Sequence, residues 1–234
     1  MGQFLHEFFS PLDFLRAIPQ VWNGFKLNIQ LMIVAEALVL PLALLVAVVR
    51  GLPGRIAFPF RAAAIAYADI FRGTPLILVL LIVQGFAQLD YVGLSSQTLF
   101  RTGIIALTLV YTAYVSEVYR AGIESVHPSQ RMAARSLGLS YMQTMRYVVL
   151  PQAIRRVIPP LLNDFIGLQK DTALITIIGL TEAIAQAGFY ANDYANEAAY
   201  IVAAVFFIFL TIPLARFTDH IIRQRERRER AQTV

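Results

Sequence analysis

Cysteine is absent from the 234 residues, which excludes a disulfide framework, a thiol nucleophile and an iron–sulfur site. Charge is scarce too. Asp, Glu, Lys and Arg make up 15% of the chain against 57% hydrophobic residues, and a soluble core of this size would carry far more charge. The composition is that of an integral membrane protein. Lysine is rarer still: Lys26 and Lys170 follow Phe25 and Gln169, so the Gly-Lys of a phosphate-cradling loop is missing. ATP hydrolysis by that route is excluded. His6, His127 and His220 are scattered and form no ligand pair at helical spacing, which argues against a metal site. Ser125 and Ser129 lie near His127, but a hydrolase triad on a turn between spans has no supporting pattern. A membrane enzyme is therefore the weaker class of function.

What is present alternates between apolar runs and arginine. Residues 1–20 place Phe4, Leu5, Phe8, Phe9, Leu12, Leu15 and Ile18 on a pattern compatible with one helical face. With no basic leader and no continuous apolar core they read as an interfacial amphipathic segment rather than a cleavable signal. Leu27 to Val49 is long enough for a first span and carries Glu36 and Pro41. A carboxylate there either bonds a neighbouring helix or marks function. Ala62 to Phe71 reads as an elbow helix, and Pro75 as a break before a second span, Leu76 to Phe86. Thr102 to Tyr119 is the third span, Leu161 to Ala185 the fourth and Ala198 to Ala215 the fifth.

The loops after spans one, three and five are rich in arginine, and the tail from Arg216 to Arg230 carries six. The loops after spans two and four, the first holding Asp90 and the second Asp193 and Glu197, are not. By the positive-inside rule the chain runs from an external N-terminus to a cytoplasmic C-terminus. The net charge of +5 is thus a matter of membrane orientation and membrane lipid, with no nucleic acid implied.

The longest polar interruption, Val126 to Asn163, holds Arg131, Arg135, Arg146, Arg155 and Arg156 and no acidic residue. Its local signals describe two short helices. Ser129 suits an N-cap, Gly138 a left-handed helix ending, and Ser140 with Gln143 a capping box, with Leu150-Pro151 closing the second helix. Two short helices in a basic cytoplasmic loop form a docking surface.

Ala133, Ala134, Gly138, Val148, Leu150 and Pro151 fall at the spacings of the Glu-Ala-Ala motif of ABC importer permeases, with Met132 where that family usually has Glu. Phe71-Arg72-Gly73-Thr74-Pro75-Leu76, then Ala113 to Ile123 (AYVSEVYRAGI), then Leu168 to Leu174 (LQKDTAL) follow in order. Together these resemble the polar amino acid permeases, the histidine/glutamine/arginine/opine group, over about residues 20 to 222.

The resemblance implies an all-α integral membrane fold, the type I ABC importer permease. Its five transmembrane helices carry a coupling helix between the third and fourth. It divides the chain into the segment 1–20, a transmembrane domain 21–222 with its coupling loop at 126–160, and a basic cytoplasmic tail 223–234. It implies a plasma (inner) membrane location and a non-enzymatic permease without a cofactor of its own, ATP and Mg being bound by a partner ATPase. The other partners are a second permease (a related chain, as Met132 hints, or another copy) and an external solute-binding protein. The coupling residues would be Gln130, Met132, Ala133, Ala134 and Gly138.

The transport site is expected in the fourth span. Asp164, Leu168 and Asp171 are spaced by four and three and share one helical face, with Asn163 beside it and Lys170 turned away. Two carboxylates on one face must be paired or face a water-filled cavity. Asp171 serves equally well as the partner of a cation in helix packing. The resembling family has an acidic residue at Asp164 lining an amino-acid pocket, and Ile105 and Thr108 of the third span would complete it. A non-transporting scaffold or receptor remains the alternative, but it has no need to hold Asp164, Lys170 and Asp171 in one span.

Overall fold

A computed structural model of the protein describes residues 10–89 and 95–232. Among these residues every regular element is helical. They are α1 (Pro11–Arg50), α2 (Phe58–Gly73), α3 (Leu76–Leu89), α4 (Ser96–Glu124), α5 (Pro128–Ser136), α6 (Tyr141–Thr144), α7 (Leu150–Asp171), α8 (Ala183–Tyr194) and α9 (Ala198–Gln232). A π-helical turn, Met145–Val149, joins α6 to α7, and a 3-10 segment, Thr172–Ile178, follows α7. Three helices, α1, α4 and α9, are each long and apolar enough to cross a bilayer; the number reaches five if each of two broken pairs counts as one span. One pair is α2 with α3, broken around Pro75 as expected; the other is α6–α7 with α8.

Several boundaries differ from the sequence expectations. The N-terminal segment lies outside the described residues up to position 9. From Pro11 onward it continues without a break into the first span, a single helix of 40 residues. Asp90 of the second loop is also outside the described residues. The fifth span runs on through Pro213 into the basic tail, which is helical to Gln232.

The fourth span is not continuous. Its 3-10 segment ends at Gly179 in the left-handed conformation (φ 94°), and α8 restarts after Glu182 at an angle of 53°. Nor does Leu150-Pro151 end a helix. Proline lacks the N–H that would bond Tyr147, and its ring crowds that carbonyl. The π-helical turn, in which the Leu150 N–H reaches back to the Met145 carbonyl, lets the helix pass through.

The chain forms two compact units: Met1–Ala37, Thr74–Thr108 and Phe165–Phe217 in the first, Leu38–Gly73, Leu109–Asp164 and Thr218–Val234 in the second. The first is built on small residues. Ala17, Val21 and Phe25 of α1 pack with Ala183, Ala187 and Tyr190 of α8 and Ala199, Val202 and Ala203 of α9. In lipid the hydrophobic effect does not drive helices together, and small side chains bring backbones close enough for dispersion to do so. Trp22 and Phe25 seal the edge against Phe206 and Phe207, with ring centroids 5.2 to 5.9 Å apart.

In the second unit α4 and α7 approach at Gly122. A Cβ there would collide with the Val157 side chain and sit 3.2 Å from the Ala153 carbonyl oxygen, so only glycine fits.

Candidate docking surface and transport site

The basic stretch forms its two short helices in the second unit, with one cap in a different place. His127, not Ser129, is the N-cap of α5: its Nδ1 accepts from the Ser129 N–H at 3.2 Å, and Pro128 takes the first helical position. That proline starts the helix early enough to place Ser129 inside it. The C-terminal end follows the sequence. Gly138 is left-handed (φ 84°), its N–H bonds the Arg135 carbonyl at 3.0 Å, and the Leu139 N–H bonds the Ala134 carbonyl at 3.2 Å. These are the two bonds of a Schellman ending. A Cβ on Gly138 would meet nothing within 4 Å, so the glycine is there for backbone conformation and leaves its outer side open. The capping box at Ser140 and Gln143 forms with bonds of 2.8 and 3.2 Å.

The surface this creates is apolar and positive. Met132 is 63% exposed and Leu137 80%, with Met142 and Tyr147 also exposed. Gln130, Ala133 and Gly138 are exposed beside them, while Ala134 is buried and anchors α5. The segment is held by side chains that reach backbone carbonyls at helix ends. Arg131 donates to the Ile123 carbonyl and Arg156 to the Ser125 carbonyl at the end of α4. The Tyr141 hydroxyl donates to the Gly51 carbonyl at 2.6 Å.

Nearby in the same unit lies a group of charges whose role the sequence did not reveal. Glu117 accepts from Arg50 and pairs with Arg72 at 3.2 Å through Oε1, and takes Arg120 on Oε2 at 2.8 Å. Arg120 also reaches Glu124 at 2.6 Å. Arg72, Glu117 and Arg120 belong to the two sequence motifs around Gly73 and Ser116, the one advance sign that they matter.

In the first unit the break in the fourth span is tied by a buried polar knot. Asn28 of α1 donates to Thr172 Oγ1 at 3.1 Å and to Glu182 Oε2 at 3.0 Å, and its Oδ1 accepts from the Ala183 N–H. Glu182 has no exposed surface and caps α8 by accepting from the Ile184 and Ala185 N–H groups at 2.9 and 3.0 Å. Thr172 donates to the Gln169 carbonyl at 2.7 Å, and Gln169 Oε1 accepts from Thr211 of α9 at 2.7 Å. Gln84 of α3 bonds the Ile178 carbonyl at 3.0 Å. Backbone freed from a helix at membrane depth must find partners inside the protein. Asn28, Glu182 and Gln84 supply them to the Ala183, Ile184 and Ala185 N–H groups and the Ile178 carbonyl, and the side-chain bonds hold these residues in place. The sequence held a single hint of the knot, a carboxylate inside an apolar stretch.

The expected transport residues fall in both units. Asn163 and Asp164 belong to the second, where Asn163 is exposed and Asp164 half-buried, its Oδ2 buried without a hydrogen-bond partner. Ile105, Thr108, Leu168 and Asp171 belong to the first. There Ile105 is half-exposed and, with Phe86, Arg101 and Thr102, lines a groove of about 510 Å³. Thr108 Oγ1 is buried without a partner, Asp171 is half-buried, and Leu168 is fully enclosed as a core side chain. Among the described residues no group of His, Cys, Asp or Glu has metal-holding geometry.

Comparison with known proteins gives a consistent picture. Residues 40–227 match the family described as "Binding-protein-dependent transport system inner membrane component". An arginine transport system permease protein of Bacillus subtilis (strain 168) is 36% identical over 180 residues, covering 75% of this chain and 80% of its own. A glutamine transport system permease protein of Escherichia coli (strain K12) is 30% identical over 213 residues, covering 91% and 94%. Among solved structures, a chain of an amino acid ABC transporter crystallised with histidines superposes with a TM-score of 0.80 at 29% identity, covering 91% of this chain and 97% of that one. A chain of the MetNI methionine ABC transporter, at 19% identity and a TM-score of 0.73, shares the fold over 88% and 95%.

Proposed function

The chain belongs to the binding-protein-dependent transport system inner membrane components, the non-catalytic permease subunits of ATP-driven importers, and from that premise we propose that it carries a polar amino acid. The import substrate class follows from relatives that are named for arginine and glutamine transport. Five spans, counting each broken pair once, run from an external N-terminus to a cytoplasmic C-terminus, and the arginine-rich loops support that direction. A second permease subunit and the surrounding lipid complete the membrane part. The ATPase subunits, which hold ATP and Mg, sit on the cytoplasmic side, and a solute-binding protein delivers substrate from outside.

The observation that carries this reading is the docking surface. Met132 and Met142 stand exposed on the two short helices and Leu137 on the turn after the first, among arginines and no carboxylate. An apolar patch with a positive rim marks a protein partner, and the Schellman turn at Gly138 fixes its shape. Gln130, Met132, Ala133 and Gly138 face that partner, with Ala134 behind them. Asp164 is the residue of the substrate path. Its unpartnered Oδ2 suits the ammonium of an amino acid, with Asn163 beside it in the second unit. Within the first unit Ile105, Thr108 and Asp171 are the candidate substrate contacts, and Leu168 is enclosed in its core.

The test is ATP-driven uptake of radiolabelled glutamine, arginine and glutamate by the complex reconstituted with its ATPase subunits and binding protein. Gly138→Asp should insert normally and lose uptake of all three. Asp164→Asn should keep ATPase docking and change which of the three is carried. Parent-level uptake by both variants would refute both assignments, and a C-terminal reporter active only outside the cell would refute the orientation.

A further inference from the structure

The arginines around Glu117 join three helices within the second unit. Glu117 lies on α4 two turns before the helix end. Its carboxylate is fully used: Oε1 takes Arg50, the last residue of α1, and Arg72, the penultimate residue of α2, while Oε2 takes Arg120 through Nε and Nη2. The Glu117 side chain is 15% exposed and that of Arg50 11%, against 42% for Arg72. A desolvated pair of this kind is costly to separate, whereas the exposed Arg72 contact is screened by water.

Below Glu117 the same helix carries the docking segment. Arg131 of α5 and Arg156 of α7 hold the Ile123 and Ser125 carbonyls at the end of α4, and Arg156 also reaches the Ser125 hydroxyl at 3.1 Å. Tyr141 of α6 holds Gly51, the residue after Arg50. The close approach of α4 and α7 at Gly122 leaves little slack between these ties. The docking segment is thus bonded to the ends of α1 and α4, and Glu117 bonds those two ends, and that of α2, to one another.

We propose that Glu117 is a positioning residue for energy coupling, clamping the ends of α1 and α2 to the helix that bears the docking segment so that all three move with it. The proposal rests on the reading of residues 126–149 as the ATPase dock. With the clamp intact, displacement of the dock is shared by three helices. Without it, α4 bends alone and hydrolysis on the partner is no longer matched by transport.

The experiment measures amino acid molecules taken up per ATP hydrolysed, using the full complex in proteoliposomes with labelled glutamine or arginine and the cognate binding protein. In Glu117→Gln the complex should still assemble, and the uptake-to-hydrolysis ratio should fall about tenfold, within the usual range of coupling between sites. Arg72→Gln, which removes only the exposed contact and leaves Glu117 paired, should lower the ratio about threefold. Glu117→Asp, which keeps the charge, should recover part of the loss. A merely structural role would reduce the amount of assembled complex and leave the ratio alone. An assembled Glu117→Gln complex with the parent's ratio would overturn the proposal. If Glu117→Gln does not assemble, a parental ratio in Arg72→Gln overturns it instead. Failure of the parent complex to show ATP-driven uptake would be a different result: it would refute the transporter reading on which the proposal rests.

Discussion

In the first unit a single carboxylate, Glu182, is sealed from water and satisfied by backbone N–H groups and the amide of Asn28. In the second, Glu117 remains partly exposed and is satisfied by three guanidinium groups. Both carboxylates fix helix ends, by different physics. Around Glu182 the short, directional bonds of a neutral amide and a helix N-terminus close a break in a span, where unmet backbone groups would be expensive. Around Glu117 long, flexible cations converge from three helices, near arginine-rich loops that favour water. The first arrangement permits one geometry only. The second tolerates small shifts while keeping its partners, as a region that transmits movement must.

The largest effect should come from removing the sealed carboxylate. Glu182→Ala leaves two α8 N–H groups and one Asn28 donor without partners in a site that water does not reach. The cost should be about 3 kcal/mol or more, read as a fall in the thermal midpoint of the purified protein in lipid nanodiscs. A midpoint equal to the parent's would show that the break does not depend on the knot.

Glu117→Ala should cost less, about 1–3 kcal/mol, because Arg72 turns to water, Arg120 keeps Glu124 and only Arg50 is left poorly solvated. Salt separates the two carboxylates further. At about 1 M salt, where the Debye length is ~3 Å, the difference between parent and Glu117→Ala should shrink and that for Glu182→Ala should stay. Equal salt dependence of the two differences would remove the contrast drawn between them.

Gly138→Ala should show the smallest change in stability, about 1 kcal/mol, from the left-handed backbone alone, since the added methyl meets nothing. Gly122→Ala should cost more than that because its Cβ collides with Val157. Thermal midpoints of the two variants side by side check the order. The reverse order would mean that α4 and α7 separate without penalty at Gly122.

Much of this architecture was legible residue by residue. The apolar runs set where helices occur, because a chain with this little charge must satisfy its backbone internally. Pro75 marked the break between α2 and α3, Ser140 with Gln143 the start of α6, and Gly138 the end of α5, since each acts through its own or adjacent backbone. The arginine-rich loops gave an expected direction across the membrane, and the ordered motifs pointed to the family. Tertiary structure decided what depends on residues far apart in the chain. Only a folded chain brings Asn28 to Thr172 and Glu182, so the fourth span could not be seen to break where it does. Only packing showed that Pro151 is passed by a π-helical turn, that Leu168 is enclosed, and that Glu117 meets arginines 67 and 45 positions before it (117 − 50 and 117 − 72). A local signal is carried by the backbone geometry of a few consecutive residues. A buried polar contact exists only once distant helices have excluded water from around it.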